Sequence, residues 1–367
     1  MKYYVIAGEA SGDLHGSNLI REIVAKDTGA SIRAWGGDEM ESAGATIVKH
    51  YRELAFMGFI EVLLNLFTIL RNIKFCKQDI KVFKPDVLVL IDYPGFNMRI
   101  AEWAKKEGIK VVYYISPQIW AWKKGRVHKL KRDVDRMLVI LPFEPEFYGH
   151  YDMPVDYVGH PLLDAIEKLG DDEKALPKSL NTDKKIIALL PGSRKQEITK
   201  MLSVMLKMVS AYPKYQFVVA GAPSQDESFY KSKMEGYDVP IVFGKTYALL
   251  SHAHAALVTS GTATLETALF EVPEVVCYKG NALSVLIARW LIDIKFISLV
   301  NLIADKELVK ELIQKEFNTR QLKAELDKCL EGEHRAQLIS EYKVMKERLG
   351  GGGASEKAAT IIVEEAA

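Results

Sequence analysis

Short apolar runs closed by glycine, proline or an acid alternate with amphipathic stretches through the first half of the chain: "YYVIAG" (3–8), "VLVLID" (87–92), "KVVYYIS" (110–116) and "RMLVILP" (136–142). Runs that are apolar throughout predict parallel strands buried on both faces, with helices between them. The pattern pauses over 159–185, "GHPLLDAIEKLGDDEKALPKSLNTDKK", which is polar and proline-marked and reads as a linker. It resumes at "IIALLPGS" (186–193), "QFVVAGAP" (216–223), "VPIVFG" (239–244), "AALVTSG" (255–261) and "EVVCYKG" (274–280). The prediction is two α/β domains in series, with a crevice where the carboxyl ends of their strands face each other. From Asn281 onward the chain reads as mostly helical, ending in a glycine loop, a Ser355 cap and a last helix; no repeat is visible.

One predicted helix departs from the usual pattern. In "FMGFIEVLLNLFTIL" (56–70) the non-apolar residues Gly58, Glu61, Asn65 and Thr68 recur every three or four positions and form one narrow stripe. A half-exposed helix carries a broad polar face, so this one is enclosed by protein, sits in a dimer contact, or dips into lipid through Phe59, Val62, Leu63, Leu66, Phe67 and Leu70. At 1.5 Å per residue it is about 22 Å long, too short to span a bilayer.

Composition narrows the picture. A chain of 367 residues with 49% hydrophobic content buries at least one large core, and its length favours two domains. A net charge of +1 gives no global electrostatic address, so any basic patch is local. Cys76, Cys277 and Cys329 lie far apart without CxxC spacing, which points to neither a zinc site nor a disulfide framework and suits a reducing compartment. The sequence enters a strand at once, without the regions of a signal peptide, and reads as cytoplasmic.

Candidate chemistry sits where apolar runs end. "VIAGEASGDLHG" (5–16) is a glycine-punctuated strand-to-helix turn, yet it matches neither phosphate motif and carries acids at Glu9 and Asp13. Asp92 ends "VLVLID"; a charge there is costly unless it is paired or serves a site, and it reads either as a general base for an acceptor hydroxyl or as the cap of a helix beginning near Asn97. Parallel pairing would bring Glu9, Asp13 and His15 beside it. His15 also reads as an ordinary helix-surface histidine, and Ser11 has no GxSxG elbow around it. In the second half, Gly192, Ser193 and Arg194 follow a strand where N–H groups and a guanidinium converge on a diphosphate; the alternative is a plain turn with a surface arginine. "LVTSGTATLETAL" predicts a strand ending at Thr259, a turn at Ser260 and Gly261, and a helix from Thr262 whose start, with Thr264, suits phosphate. Glu266 then accepts from ribose hydroxyls or serves as a capping-box glutamate. No DxD-like metal motif accompanies these signals. The run "WAWKKGRVHKLKRDVDR" (120–136) sets basic residues beside Trp120 and Trp122, which suits anionic headgroups, a phosphorylated ligand or plain solvated charge. RNA is disfavoured, since no stacking motif of an RNA-binding module is present.

Taken together, "GEASGDLHG", "DYPGFN", "YYISPQIWAW", "VGHPLLD", "LLPGSRKQEI", "SGTATLE" and "NLIADKELVKELIQ", with the closing "LGGGGASEKAA", resemble the lipid-A-disaccharide synthase family. The resemblance implies a glycosyltransferase B-type fold of two Rossmann-like domains facing a central cleft: an acceptor domain over 1–165, a UDP-sugar domain over 166–340, and a last helix within 341–367 returning to the first. It implies an inverting transfer from UDP-2,3-diacylglucosamine to 2,3-diacylglucosamine 1-phosphate (lipid X), giving a β-1,6 linkage and UDP, without cofactor or metal. By the same resemblance Asp92, or Glu9, is the base. Gly192, Ser193, Arg194, Ser260, Gly261, Thr262, Thr264, Glu266, Asn301, Glu311 and Gln314 border the donor, and Ser11, Gly12, Asn97, Gln118, Trp120 and Arg126 border the acceptor. The acylated substrates imply peripheral attachment to the cytoplasmic leaflet of the inner membrane of a Gram-negative bacterium. A non-hydrolysing UDP-sugar epimerase of the same fold is the rival enzyme, and a membrane-bound nucleotide-binding protein without turnover is the rival outside enzymology.

Overall fold

The computed structural model describes residues 1–54, 66–121, 123–177, 180, 183–280 and 295–367. The chain divides into two compact units, one of Met1–Glu167 with Leu349–Ala367 and the other of Lys168–Arg348. Unit 1 is built on β1 (Lys2–Ala7), β2 (Ser31–Gly36), β3 (Thr46–His50), β4 (Val87–Ile91), β5 (Lys110–Tyr114), β6 (Arg136–Val139) and β7 (Asp156–Tyr157). They form one parallel sheet in the order β3-β2-β1-β4-β5-β6-β7. Unit 2 repeats the plan with β8 (Ile186–Leu190), β9 (Gln216–Gly221), β10 (Ile241–Phe243), β11 (Ala253–Thr259), β12 (Glu274–Tyr278) and β13 (Glu311–Ile313), ordered β10-β9-β8-β11-β12-β13.

Both orders are Rossmann-like: the chain runs outward from the first strand of the unit, then returns to its other side. The direction of winding reverses between β1 and β4 in unit 1 and between β8 and β11 in unit 2. At such a switch point the two following loops part and leave room for a ligand beyond the carboxyl ends. The central strands are apolar along their whole length because both faces are covered; every residue of Val87–Ile91 and of Ile186–Leu190 is buried.

Several local readings are corrected. The helix after β1 begins at Ala10, and the helix after β4 begins at Pro94, not near Asn97; the fixed φ of proline suits a first helical position. The stretch 159–185 is not linker throughout, because Pro161–Glu167 is a helix whose Leu162 and Leu163 are buried in unit 1. The closing helix Ala354–Ala366 buries Ala358, Ala359 and Ile362 in the same unit.

Candidate active site

At the switch point of unit 1, β1 and β4 pair with Ala7 opposite Ile91, so Gly8 and Asp92 leave the sheet side by side. Asp92 and Tyr93 both adopt left-handed backbone, at φ 44° and 48°. Two consecutive non-glycine residues in that region are strained, and such strain persists where surrounding structure enforces it. Here Asn97, fully buried, supplies the enforcement: its Nδ2 donates to the carbonyls of Asp92 (2.9 Å), Ile91 (3.1 Å) and Ile6 (3.4 Å), tying the ends of both strands together. Tyr113 Oη donates to the Asp92 carbonyl at 2.6 Å, and the Asp92 N–H donates to Ile115 O at 3.2 Å. Gly8 has no alternative, since a Cβ there would lie 2.6 Å from both Cδ atoms of the Tyr93 ring.

The Asp92 side chain does not cap the following helix, whose N-cap residue is Tyr93. Burial first, and the charge of Glu9 second, raise its pKa to about 7. Glu9 is the N-cap residue of the helix Ala10–Lys26 and is half-buried; Ser11 is exposed and Gly12 is buried within that helix. The structure thus brings Glu9 and Asp92 together.

It does not bring Asp13 or His15 to them. Asp13 accepts from the N–H groups of Gly37 (2.6 Å), Glu39 (3.2 Å) and Met40 (3.2 Å), so it caps the short helix Asp38–Ser42 beyond β2. His15 is 5% exposed and neither a surface residue nor a neighbour of Asp92; burial lowers its pKa to about 4, against the pull of Asp164.

Beyond β5 the chain makes a second strained turn, with Ile115 at φ 64°, and leads through Ser116 to an exposed Gln118 and a buried Trp120 that packs edge-on against Phe143. Lys123 is left-handed as well, at φ 62°; its pKa is lowered by desolvation and by Arg126, whose charge also acts on the buried Tyr113 hydroxyl. Gln118, Trp120 and Arg126 therefore belong to the loops at the carboxyl edge that holds Asp92. Trp122 lies outside the described residues.

In unit 2, Leu190 pairs with Val258, which sets the loop Gly192–Ser193–Arg194 beside the turn Ser260–Gly261. Gly192 is at φ 99°, and a Cβ on it would meet Glu197 Oε2 at 2.9 Å and Thr259 Cγ2 at 3.5 Å. Ser193, Arg194 and Gly261 are exposed, and Ser260 and Thr262 are half-buried. Arg194 Nη1 pairs with Glu197 Oε1 at 3.0 Å, holding a cation at the edge of the switch point. The helix Thr262–Leu269 starts at this turn with Gly261 as N-cap. Glu266 lies more than a turn inside and is no capping-box residue; its Oε1 accepts from Tyr247 Oη at 3.1 Å, and burial raises its pKa while Tyr247 pulls it back. Tyr247, on the helix Thr246–His252, has no motif around it in the sequence to mark its position. Thr264 is fully buried and donates to Gly261 O at 2.8 Å, so its hydroxyl shapes the turn instead of facing a ligand.

Asn301 and Glu311 are likewise committed inside the protein. Glu311 accepts from Ile297 N, Ser298 N, Ser298 Oγ and Asn301 Nδ2, all within 3.1 Å, while Asn301 Oδ1 accepts from Leu308 N and Val309 N. Their network fixes the segment whose Ile297 carbonyl receives the Ser260 hydroxyl at 2.8 Å, so they position the turn without facing a ligand. Gln314 differs. It is left-handed at φ 57°, at the carboxyl end of β13, and among the described residues its buried Nε2 has no partner.

Of the apolar helix, Phe59, Val62, Leu63 and the side chain of Leu66 lie outside the described residues. In Leu66–Phe83, Phe67 is 87% exposed and Leu70 48% exposed. Among the described residues no helix is long and apolar enough to cross a membrane, and no His, Cys, Asp and Glu group clusters as a metal site would.

Comparison with known proteins gives a family match over residues 3–365, to the family described as lipid-A-disaccharide synthetase, LpxB. A lipid-A-disaccharide synthase of Syntrophus aciditrophicus is 41% identical over 366 residues, 97% of this chain and 96% of that one. Among solved structures, the UDP-GlcNAc 2-epimerase of Neisseria meningitidis bound to UDP-GlcNAc superposes with a TM-score of 0.70 at 14% identity, covering 99% of this chain and 100% of that one. A glycosyltransferase of kitacinnamycin superposes at 0.68 and 14% identity, covering 100% and 99%. At such identities the structural likeness shows the shared fold alone.

Proposed function

The chain belongs to the lipid-A-disaccharide synthase family, and from that premise we propose an inverting transfer of the diacylglucosaminyl group of UDP-2,3-diacylglucosamine to the 6-hydroxyl of 2,3-diacylglucosamine 1-phosphate. The acceptor's hydroxyl proton passes to the Asp92 carboxylate as its oxygen bonds to the anomeric carbon. The bond from that carbon to the diphosphate breaks, and its electron pair leaves on UDP. One base and one stabilised leaving group suffice for this chemistry.

The observation that carries the assignment is Asp92 itself: a carboxyl on an enforced left-handed turn at the switch point, with its pKa raised to about 7 and Glu9 beside it. A base poised near the working pH is the most effective one. Glu9 keeps that poise through its charge. In unit 2, Arg194, the backbone of Gly192 and Ser193, and the start of the helix Thr262–Leu269 supply the positive potential for the diphosphate. Glu266, oriented by Tyr247, accepts from the ribose, and Gln314 offers the amide that has no partner among the described residues to the same ligand.

Both substrates are acylated, and the protein meets them at the cytoplasmic leaflet of the inner membrane. The exposed Phe67 and Leu70, followed on the same helix by Arg71, Lys74 and Lys77, support attachment to an anionic lipid surface. The epimerase reading has only the common fold in its favour. An assay of UDP release with purified donor decides: release that requires lipid X supports the transfer, whereas isomerised UDP-sugar without acceptor would overturn it.

A further inference from the structure

The carboxyl edge of the unit 1 sheet holds a second buried carboxyl, at Glu144. This residue opens the helix Glu144–Gly149 just beyond β6 and is 1% exposed. Its Oε2 accepts from the N–H groups of Ile140 (3.1 Å) and Leu141 (2.9 Å). Burial raises its pKa to about 7, and the Leu141 N–H, the Ser116 hydroxyl, the Ile140 N–H and the Trp120 side chain oppose that rise. Two contacts join this helix and the residue before it to the turn 116–120. Ser116, 4% exposed, also pairs with the buried Tyr148 Oη at 2.6 Å. Trp120 packs edge-on against Phe143, the residue before Glu144, with ring centroids 5.0 Å apart.

Ser116 follows Ile115, the β-branched residue held at φ 64°. Left-handed backbone is costly for such a side chain and persists only where neighbours impose it. The Ile115 N–H donates to Leu138 O at 3.1 Å, and the Ile115 carbonyl accepts from the Asp92 N–H at 3.2 Å. A chain of contacts thus runs from the helix that Glu144 opens, through Tyr148 and Ser116, to Ile115 and the backbone of Asp92.

We propose that Glu144 is a positioning residue for the transfer, clamping the turn 115–120 so that Asp92 keeps its angle and the Gln118–Trp120 loop keeps its shape for the acceptor. This rests on the reading of Asp92 and of that loop as the acceptor site. The bonds to Ile140 and Leu141 set the start of this helix, and the Trp120–Phe143 and Ser116–Tyr148 contacts pass that hold on to 116–120.

The test compares Glu144→Gln and Glu144→Ala in the full chain, by steady-state kinetics with both substrates varied and by hydrogen exchange of 115–121. Glu144→Ala raises the acceptor KM and lowers kcat, each by about tenfold, a cost in scale with slight misplacement of reacting groups. The donor KM stays fixed, and exchange in 115–121 accelerates. Glu144→Gln, which keeps the shape and a donor–acceptor pair, restores both within about threefold. If Glu144→Ala does not fold, Glu144→Asp, shorter by one methylene, shows the same split. Unchanged acceptor KM with unchanged exchange overturns the proposal, as does a loss shared equally by both substrates. The exchange readout needs no substrate: wild-type protein that releases no UDP with lipid X sinks the functional reading, while the exchange of 115–121 still decides the clamp.

Discussion

Asp92 carries opposite demands of catalysis and stability in one side chain. A base works only when ionised, so kcat/KM rises with pH up to about 7 and then levels, following the pKa to which burial and Glu9 raise this carboxyl. Glu9→Gln removes the second of those causes and moves the limb to lower pH. Asp92→Asn lowers the rate a hundredfold or more, on the scale of a lost general base. For stability the sign reverses. The folded pKa lies above the unfolded one, so this group's contribution is complete below the unfolded value and is lost as pH rises through about 7. Asp92→Asn therefore melts higher than wild type at pH 8, by at most about 4 kcal/mol before solvent screening, and the two proteins converge near pH 4. Calorimetry beside the rate profile checks both halves; a variant that is inactive and also less stable at pH 8 would contradict the assignment of a strained, desolvated base. Asp92 was legible because a charge ending an apolar run needs a reason. Asp13 was not, because its reason is a backbone turn after β2 that no local pattern reveals. Asn301 and Glu311 carried motif character, but only the structure shows their polar atoms spent on Ile297, Ser298, Leu308 and Val309.

Among elements, the helix Leu66–Phe83 holds the clearest unspent surface. Removing apolar area from water gains about 25 cal/mol per Å², so nearly all of Phe67 and about half of Leu70 remain to be buried at a lipid surface. The double variant Phe67→Ser with Leu70→Ser should sediment with anionic vesicles at least several-fold less than wild type while melting at an unchanged temperature. A fall in melting temperature together with undiminished vesicle binding would assign these side chains to packing. Elements differed in how plainly they could be read. Strands such as Val87–Ile91 and Ile186–Leu190 announced themselves as unbroken apolar runs, since both faces are covered. Strands nearer the sheet edges did not. Thr46–His50 is only half-buried, Ser31–Gly36 interrupts its apolar residues with Arg33, and Glu311–Ile313 is too short to show a period. The helix at Pro94 starts before Asn97 because the turn from β4 is tight and leaves the sheet within two residues.

For the molecule as a whole, chain order and spatial order part company at the end: Leu349–Ala367 belongs to unit 1, although unit 2 precedes it in sequence. What fastens this segment is Asp164, 4% exposed, whose carboxylate accepts from the N–H groups of Gly353 (2.6 Å), Ala354 (3.2 Å) and Ser355 (2.7 Å). Three donors at the start of a helix, met by one charge and aided by the helix dipole, make a strong cap. Beneath it, His15 and His160 are buried and neutral, with burial lowering their pKa values to about 4 and about 3. Since these folded values lie below the unfolded one, the stability they permit is complete above about pH 6.5 and is lost as pH falls, by up to about 1.4 kcal/mol per pH unit for each group. At pH 7.5, then, both histidines are neutral and the cap can be tested alone. Asp164→Ala leaves the three N–H groups without their acceptor, costing about 2–3 kcal/mol, which for a unit of this size is a fall of about 4–12 °C in melting temperature. Hydrogen exchange should quicken along Ala354–Ala366 and in the helix Ala10–Lys26 that packs on it, while β8 and β11 of unit 2 keep their protection. Equal loss of protection in both units would show that the segment is fastened by something other than Asp164, and an unchanged exchange rate at 354–366 would show that its buried alanines hold it without the cap.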